Sequence, residues 1–271
     1  MYSREGTVNA ILAFYQQLIK HPYLYETALK VPPASGWDTI DEEALRAIGK
    51  TDTVVDLLRH LPYLDGRGDG YLIAYETIPV NFTIDSTAMT EEVYSIPGHC
   101  VYLTGGLGRE GYRLILDTER GTTTAYSIMD YELSMSEIDR YKHLPEIEQW
   151  KAHRTLPTTQ FFAGWTLRYE KLVCRADTQW QEDSLCRQRL VEWIPDPAEA
   201  EAIEDDVDRQ SRILKLKYPA DIYDAYLRHG WADGRFDKEN CRAELLEMEK
   251  LFDDEKDRLL ELKNPDTDMF D

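Results

Sequence analysis

Residues 100–128 constrain this chain more than any other stretch. Three short runs rich in β-branched and aromatic residues follow one another there: Val101-Tyr102-Leu103-Thr104, then residues 112–116, then residues 122–128. Between them lie Gly105-Gly106-Leu107-Gly108-Arg109-Glu110-Gly111 and Asp117-Thr118-Glu119-Arg120-Gly121, both supplied with residues that tolerate positive φ. Runs of this length joined by such gaps make an antiparallel meander. Its apolar side chains need cover on at least one face, and residues 158–172 offer it. Phe162, Trp165, Tyr169 and Leu172 stand at i, i+3, i+7 and i+10, an aromatic stripe along one side of a helix. The hydroxyls of Thr155-Leu156-Pro157-Thr158-Thr159 can accept from the free N–H groups of its first turn.

Helices come before the meander. Val8, Ile11, Leu12, Phe14, Tyr15, Leu18 and Ile19 give residues 7–20 a 3.6-residue period, and His21-Pro22 ends it. Residues 23–30 read as a further turn, and Val31-Pro32-Pro33-Ala34-Ser35-Gly36 as a stiff connector. Thr39, with Glu42 three residues on, predicts an N-cap for residues 40–48, and residues 53–60 form the next helix. Strand-like runs follow at 71–75 and 78–84, where Pro79 demotes the second to an edge or a bulge. A short helix is expected at 135–141.

Beyond Arg175 the character changes. Residues 176–271 hold 27 acidic and 14 basic side chains. A short helix is expected from Tyr218-Pro219 to Leu227. A longer one over 238–263 repeats Leu245, Met248, Phe252, Leu259 and Leu262 at heptad positions, with Glu255 interrupting the seam. That seam suits docking on the chain's own domain or a homodimer. The pattern predicts an α+β fold with a single, mostly antiparallel sheet, helices packed on one face, and a helical C-terminal extension. It divides into a helical segment at 1–34, an α+β domain at 35–175 and an acidic, mainly helical extension at 176–271.

Fifty-one acidic against 31 basic residues give a net charge of −20. Such a field repels nucleic-acid phosphates and anionic lipid headgroups and favours a basic protein partner, although acidity also serves solubility alone. The N-terminus has no apolar h-region, and no run reaches the ~18 apolar residues of a membrane span. A soluble cytoplasmic protein is expected, with the nucleus as the other compartment open to it. Cys100, Cys174, Cys186 and Cys241 are scattered without a C-x-x-C pair, so neither a disulfide framework nor a zinc site is indicated, and no cofactor is expected.

Candidate chemistry is sparse. Gly106-x-Gly108-x-x-Gly111 has the letters of a dinucleotide fingerprint, but a strand follows where a helix is required. Asp65 and Asp69 hint at a calcium loop that lacks its bidentate Glu, and Arg67-Gly68-Asp69 reads as a turn. His99 and Cys100, adjacent on a strand, would point to opposite faces and so make no catalytic pair. Trp37, Tyr71, Tyr75, Tyr102 and Tyr112 form a candidate recognition surface, with core packing the other role open to each. Asp117 in the hairpin turn joins them as a candidate binding residue.

The order of features resembles a known family. Gly36-Trp37 and Leu57-Leu58-Arg59-His60-Leu61-Pro62-Tyr63 precede Val101-Tyr102-Leu103-Thr104 and Leu114-Ile115-Leu116-Asp117-Thr118-Glu119-Arg120-Gly121. Thr124-Ala125-Tyr126-Ser127-Ile128 and a helix at 161–165 complete the series. Over residues 35–173 this is similar to the SUKH superfamily of bacterial toxin-immunity proteins and fungal cell-wall-synthesis regulators, nearest the branch of filamentous fungi. The resemblance implies one sheet and protein recognition without catalysis. Its Gly-Trp pair corresponds to Gly36-Trp37 or to Gly164-Trp165. Two functions are therefore expected in turn: a non-catalytic, regulatory protein-binding module, or a small-molecule hydrolase built from dispersed residues such as His99, Asp117 and His60.

Overall fold

Ser3 opens the first helix, its hydroxyl accepting from the Gly6 N–H at 3.1 Å. The computed structural model describes residues 1–65, 71–74, 76–88, 96–106, 109, 111–128, 135–173 and 200–264. They fall into two compact units, Met1–Arg187 and Gln188–Asp271.

In the first unit, α1 (Arg4–Leu18) buries Ile11, Phe14, Tyr15 and Leu18, the i, i+3, i+4, i+7 stripe expected of it. The 3-10 turn Glu26–Ala28 leads into β1 (Leu29–Lys30), which pairs with β2 (Tyr63–Leu64). Between them lie α2 (Glu42–Ala47) and α3 (Asp52–His60). The cap of α2 is Asp41, not Thr39: its carboxylate accepts from the Ala44 N–H at 2.9 Å, and an anion is the better match for the helix N-terminus. Residues 71–74 form no strand: Leu72 and Ala74 make isolated bridges, that of Ala74 being to Thr77.

The single sheet expected from the meander is in fact three small ones: β1–β2, β3–β5, and a four-stranded antiparallel sheet in the order β4-β6-β7-β8. Here β3 is Thr77–Pro79, β4 Cys100–Tyr102, β5 Thr104–Gly106, β6 Arg113–Asp117, β7 Thr122–Tyr126 and β8 Thr155–Pro157. The first expected strand breaks after Tyr102. The Thr104 hydroxyl accepts from the Leu114 N–H at 2.8 Å and donates to the Tyr112 carbonyl at 2.7 Å, standing in for the backbone ladder. That releases β5 to pair with β3, where Pro79 ends the two-stranded ribbon as an edge residue.

Alternation along the large sheet sends Val101, Leu114, Leu116 and Ala125 to one side. There they join α1, α3 and α5 (Thr158–Glu170) in the main core. The aromatic stripe is at work here: Phe14 meets Phe162, Trp165 and Tyr169 with ring centroids 5.5–5.7 Å apart. No side chain caps α5. The Thr158 N–H instead donates to the Gly121 carbonyl at 3.0 Å, so the β6–β7 turn satisfies the first turn of the helix. Nor is the opposite face bare, as helices on one face only would leave it. Cys100, Tyr102, Ile115 and Tyr126 lie under Trp150 from the 3-10 helix Glu146–Ala152, which follows α4 (Met135–His143).

The second unit is an antiparallel helical hairpin of α6 (Asp206–Arg228) and α7 (Lys238–Lys263), with Lys263 paired to Asp208 at one end and Arg228 to Glu244 at the other. α6 is one continuous helix with Pro219 inside it, not a short helix starting at that proline. Tyr218 stacks on Phe252 at 4.2 Å, so the α7 seam packs within the chain and does not require a second copy. Leu262 departs from the heptad reading, at 55% exposed. Among the described residues no helix is long and apolar enough to cross a membrane.

Candidate functional site

The second face of the large sheet carries the site. β4 and β6 pair with Cys100 directly opposite Asp117, so the two side chains lie side by side on that face. His99 joins them against expectation. It stands in a turn, not on the strand: the Cys100 N–H donates to the Pro97 carbonyl at 2.8 Å, and the period-2 rule fails one residue before β4 begins. The His99 carbonyl is held by the Thr118 N–H at 2.9 Å and the Thr118 hydroxyl at 2.8 Å. Gly98 makes the turn possible, because a Cβ there would sit 2.0 Å from the Gly49 carbonyl oxygen.

The donor atoms of His99, Cys100 and Asp117 all lie within 4.8 Å of one another. Nε2 of His99 is 3.9 Å from Oδ2 of Asp117, and its Nδ1 is 3.4 Å from Oε1 of Glu119. Oδ1 of Asp117 accepts from the Glu119 and Arg120 N–H groups, both at 2.9 Å, which fixes the carboxylate and leaves Oδ2 facing the imidazole. Burial, reinforced by the charge of Asp117, pushes the Cys100 thiol up to about 12, so at neutral pH it is no thiolate nucleophile. Lys50 donates to the Cys100 carbonyl at 2.8 Å, and burial holds its ammonium below the usual lysine range.

His99, Asp117 and Glu119 border a cleft of about 480 Å³, with Cys100 buried beneath it. Glu137 and Arg140 from α4, and Trp150, Lys151, His153 and Arg154 from the segment after it, line its other walls. The lining is polar and carries both signs of charge. The buried Trp150 indole N–H finds no hydrogen-bond acceptor among the described residues. His153, edge-on to Tyr126 at 4.9 Å, is lowered by burial to about 4 and is therefore neutral at pH 7.

Against family models, curated proteins and solved structures, the chain finds no match.

Of the residues singled out in the sequence, His99 and Asp117 line this cleft. Tyr102 is buried beneath Trp150, whereas Tyr112 is buried in the main core with its ring 6.1 Å from Trp165. Their rings offer no contact area to a partner. Tyr71 is partly buried against the main core, and Tyr75 lies outside the described residues. Trp37 is half-buried, with its backbone N–H donating to the Arg59 carbonyl at 2.7 Å and its indole to the Leu61 carbonyl at 2.8 Å. It caps the C-terminal end of α3. His60 is on α3 against Asp56, apart from the cleft lining. Reasoning from sequence missed Trp150, which no short motif marks; its signal is the spacing of Leu144, Ile147 and Trp150 in the segment before β8.

Proposed function

We propose that this protein is a non-catalytic, regulatory recognition module of SUKH type, whose acidic surface takes a basic protein partner. The single observation behind this reading is the charge: 51 acidic against 31 basic residues. Many of the bases are already engaged locally. Arg46 meets Glu42 and Asp52, Arg59 meets Glu42, and in the hairpin Arg209 meets Asp206 and Arg258 meets Glu255. Exposed pairs of this kind add little stability, but they cancel the basic charge and leave the surplus acids to set the field. The family likeness rests on the order of helices, antiparallel strands and a closing helix, although the strands form three small sheets where the resemblance implies one. Immobilised full-length protein should capture a basic protein from cell extract at about 0.1 M salt and lose it near 1 M, as the screening length shrinks from about 10 Å to about 3 Å. Capture that is indifferent to salt would remove the electrostatic basis of the proposal.

One observation favours a second reading, a small-molecule hydrolase: His99 and Asp117 meet 3.9 Å apart at the rim of a ligand-sized cleft. Hydrolysis of activated esters by purified protein, abolished in His99→Gln, would put this reading first. Equal rates in the two proteins would dismiss it.

A further inference from the structure

We propose that His99, Cys100 and Asp117 bind a divalent transition-metal ion of zinc's type, with a further coordination position open to the cleft. This goes beyond the recognition reading and stands independently of it. The cluster is not a patch of surface acids: it offers one imidazole nitrogen, one sulfur and one carboxylate oxygen, and Cys100 and Asp117 are buried. Mixed N, S and O donors suit a borderline ion such as Zn²⁺ or Co²⁺, whereas Mg²⁺ and Ca²⁺ take oxygen. On binding, the ion would displace the Cys100 thiol proton to solvent, and the resulting thiolate and the Asp117 carboxylate together match the charge of a divalent cation. Three protein ligands beside a cleft reproduce the pattern in which zinc keeps one position for water or a ligand.

The outer contacts support the same assignment. A metal-bound histidine generally gives its other ring nitrogen to a carboxylate, and Glu119 stands 3.4 Å from Nδ1 of His99 while Nε2 faces Asp117. Asp117 is fixed through Oδ1 by two backbone N–H groups, with Oδ2 left toward the imidazole. Two ligands each about 2.0–2.1 Å from a tetrahedral ion lie about 3.3 Å apart, so the 3.9 Å between Nε2 and Oδ2 must close by about 0.6 Å, and the three donors, now within 4.8 Å of one another, must draw in around the ion. His99 is only partly buried and stands in a turn, which can supply that movement. The Arg120 guanidinium, 3.8 Å from Oδ2, competes for the carboxylate, but its side chain is 75% exposed and can swing aside.

The test uses the full-length protein, stripped with chelator and titrated with Co²⁺ or Zn²⁺ alone. One equivalent should bind, and the cobalt form should show a sulfur-to-metal charge-transfer band. Cys100→Ser should abolish that band. His99→Gln and Asp117→Asn, the latter retaining the Oδ1 acceptor, should each weaken zinc binding by at least about tenfold while leaving the circular dichroism unchanged. Should Cys100→Ser fail to fold, the other two variants still decide the matter. No binding by the wild type, a band that survives in Cys100→Ser, or undiminished affinity in both His99→Gln and Asp117→Asn would overturn the assignment.

Discussion

Gly36 and Trp37 show how one pair of residues fastens an element. Gly36 adopts φ +79°, and a Cβ on it would lie 2.9 Å from the Arg59 carbonyl, so only glycine lets Trp37 reach the end of α3. Gly164 is different: it is helical and has open space where a Cβ would be. Gly36→Ala should therefore cost roughly 1–3 kcal/mol in urea denaturation, whereas Gly164→Ala should gain about 0.5–1 kcal/mol. Equal effects would remove the distinction between the two Gly-Trp pairs that the sequence leaves open. His153 gives a pH prediction at the same scale. Burial lowers its folded pKa from 6.5 to about 4, against a smaller opposing effect of Glu137. Between those values the unfolded chain binds the proton and the folded chain does not, so stability falls as pH drops through that window, by about 3 kcal/mol in full. His153→Phe should flatten the dependence measured between pH 7 and pH 4.5, and an unchanged slope would contradict the assignment. Asp117 was legible as a site residue because a hairpin turn needs an Asx side chain. The meeting of His99 with Cys100 was not, since nothing local tells that the chain turns one residue before Cys100.

At the scale of elements, α1 and α5 hold the first unit together through one aromatic cluster. Phe14 lies at its centre, fully buried among Tyr15, Phe162, Trp165 and Tyr169. Phe14→Ala should cost about 3–5 kcal/mol by chemical denaturation. A loss below about 1 kcal/mol would mean that α1 is peripheral. The periods of α1, α3, α5 and α7 were readable because each helix keeps its apolar stripe on one side. The strands of the meander were readable too, but β1, β2 and β8 were not, with Thr155–Pro157 a strand where a helix start was expected, and neither was sheet membership: the switch at Thr104 depends on a hydroxyl replacing backbone ladder groups ten residues away in sequence. The same limit applies to α6. Pro219 reads as a helix start, yet the helix begins at Asp206 behind the Asp205 cap, whose carboxylate accepts from the Asp208 N–H at 2.8 Å. Tertiary packing against α7, including the Tyr218–Phe252 stack, offsets the interrupted helix bond.

For the whole molecule, charge decides more than shape. A net charge of −20 acts at distances beyond any one contact, and its signature is kinetic. Complementary fields raise association rates, while short-range packing governs dissociation. The most direct test of the recognition reading is therefore the association rate of the captured basic partner with full-length protein, followed from about 0.1 M to about 1 M salt. The rate constant should fall steeply across that range while the dissociation rate changes little. An association rate that stays flat would contradict the claim that this acidic surface exists to meet a basic protein.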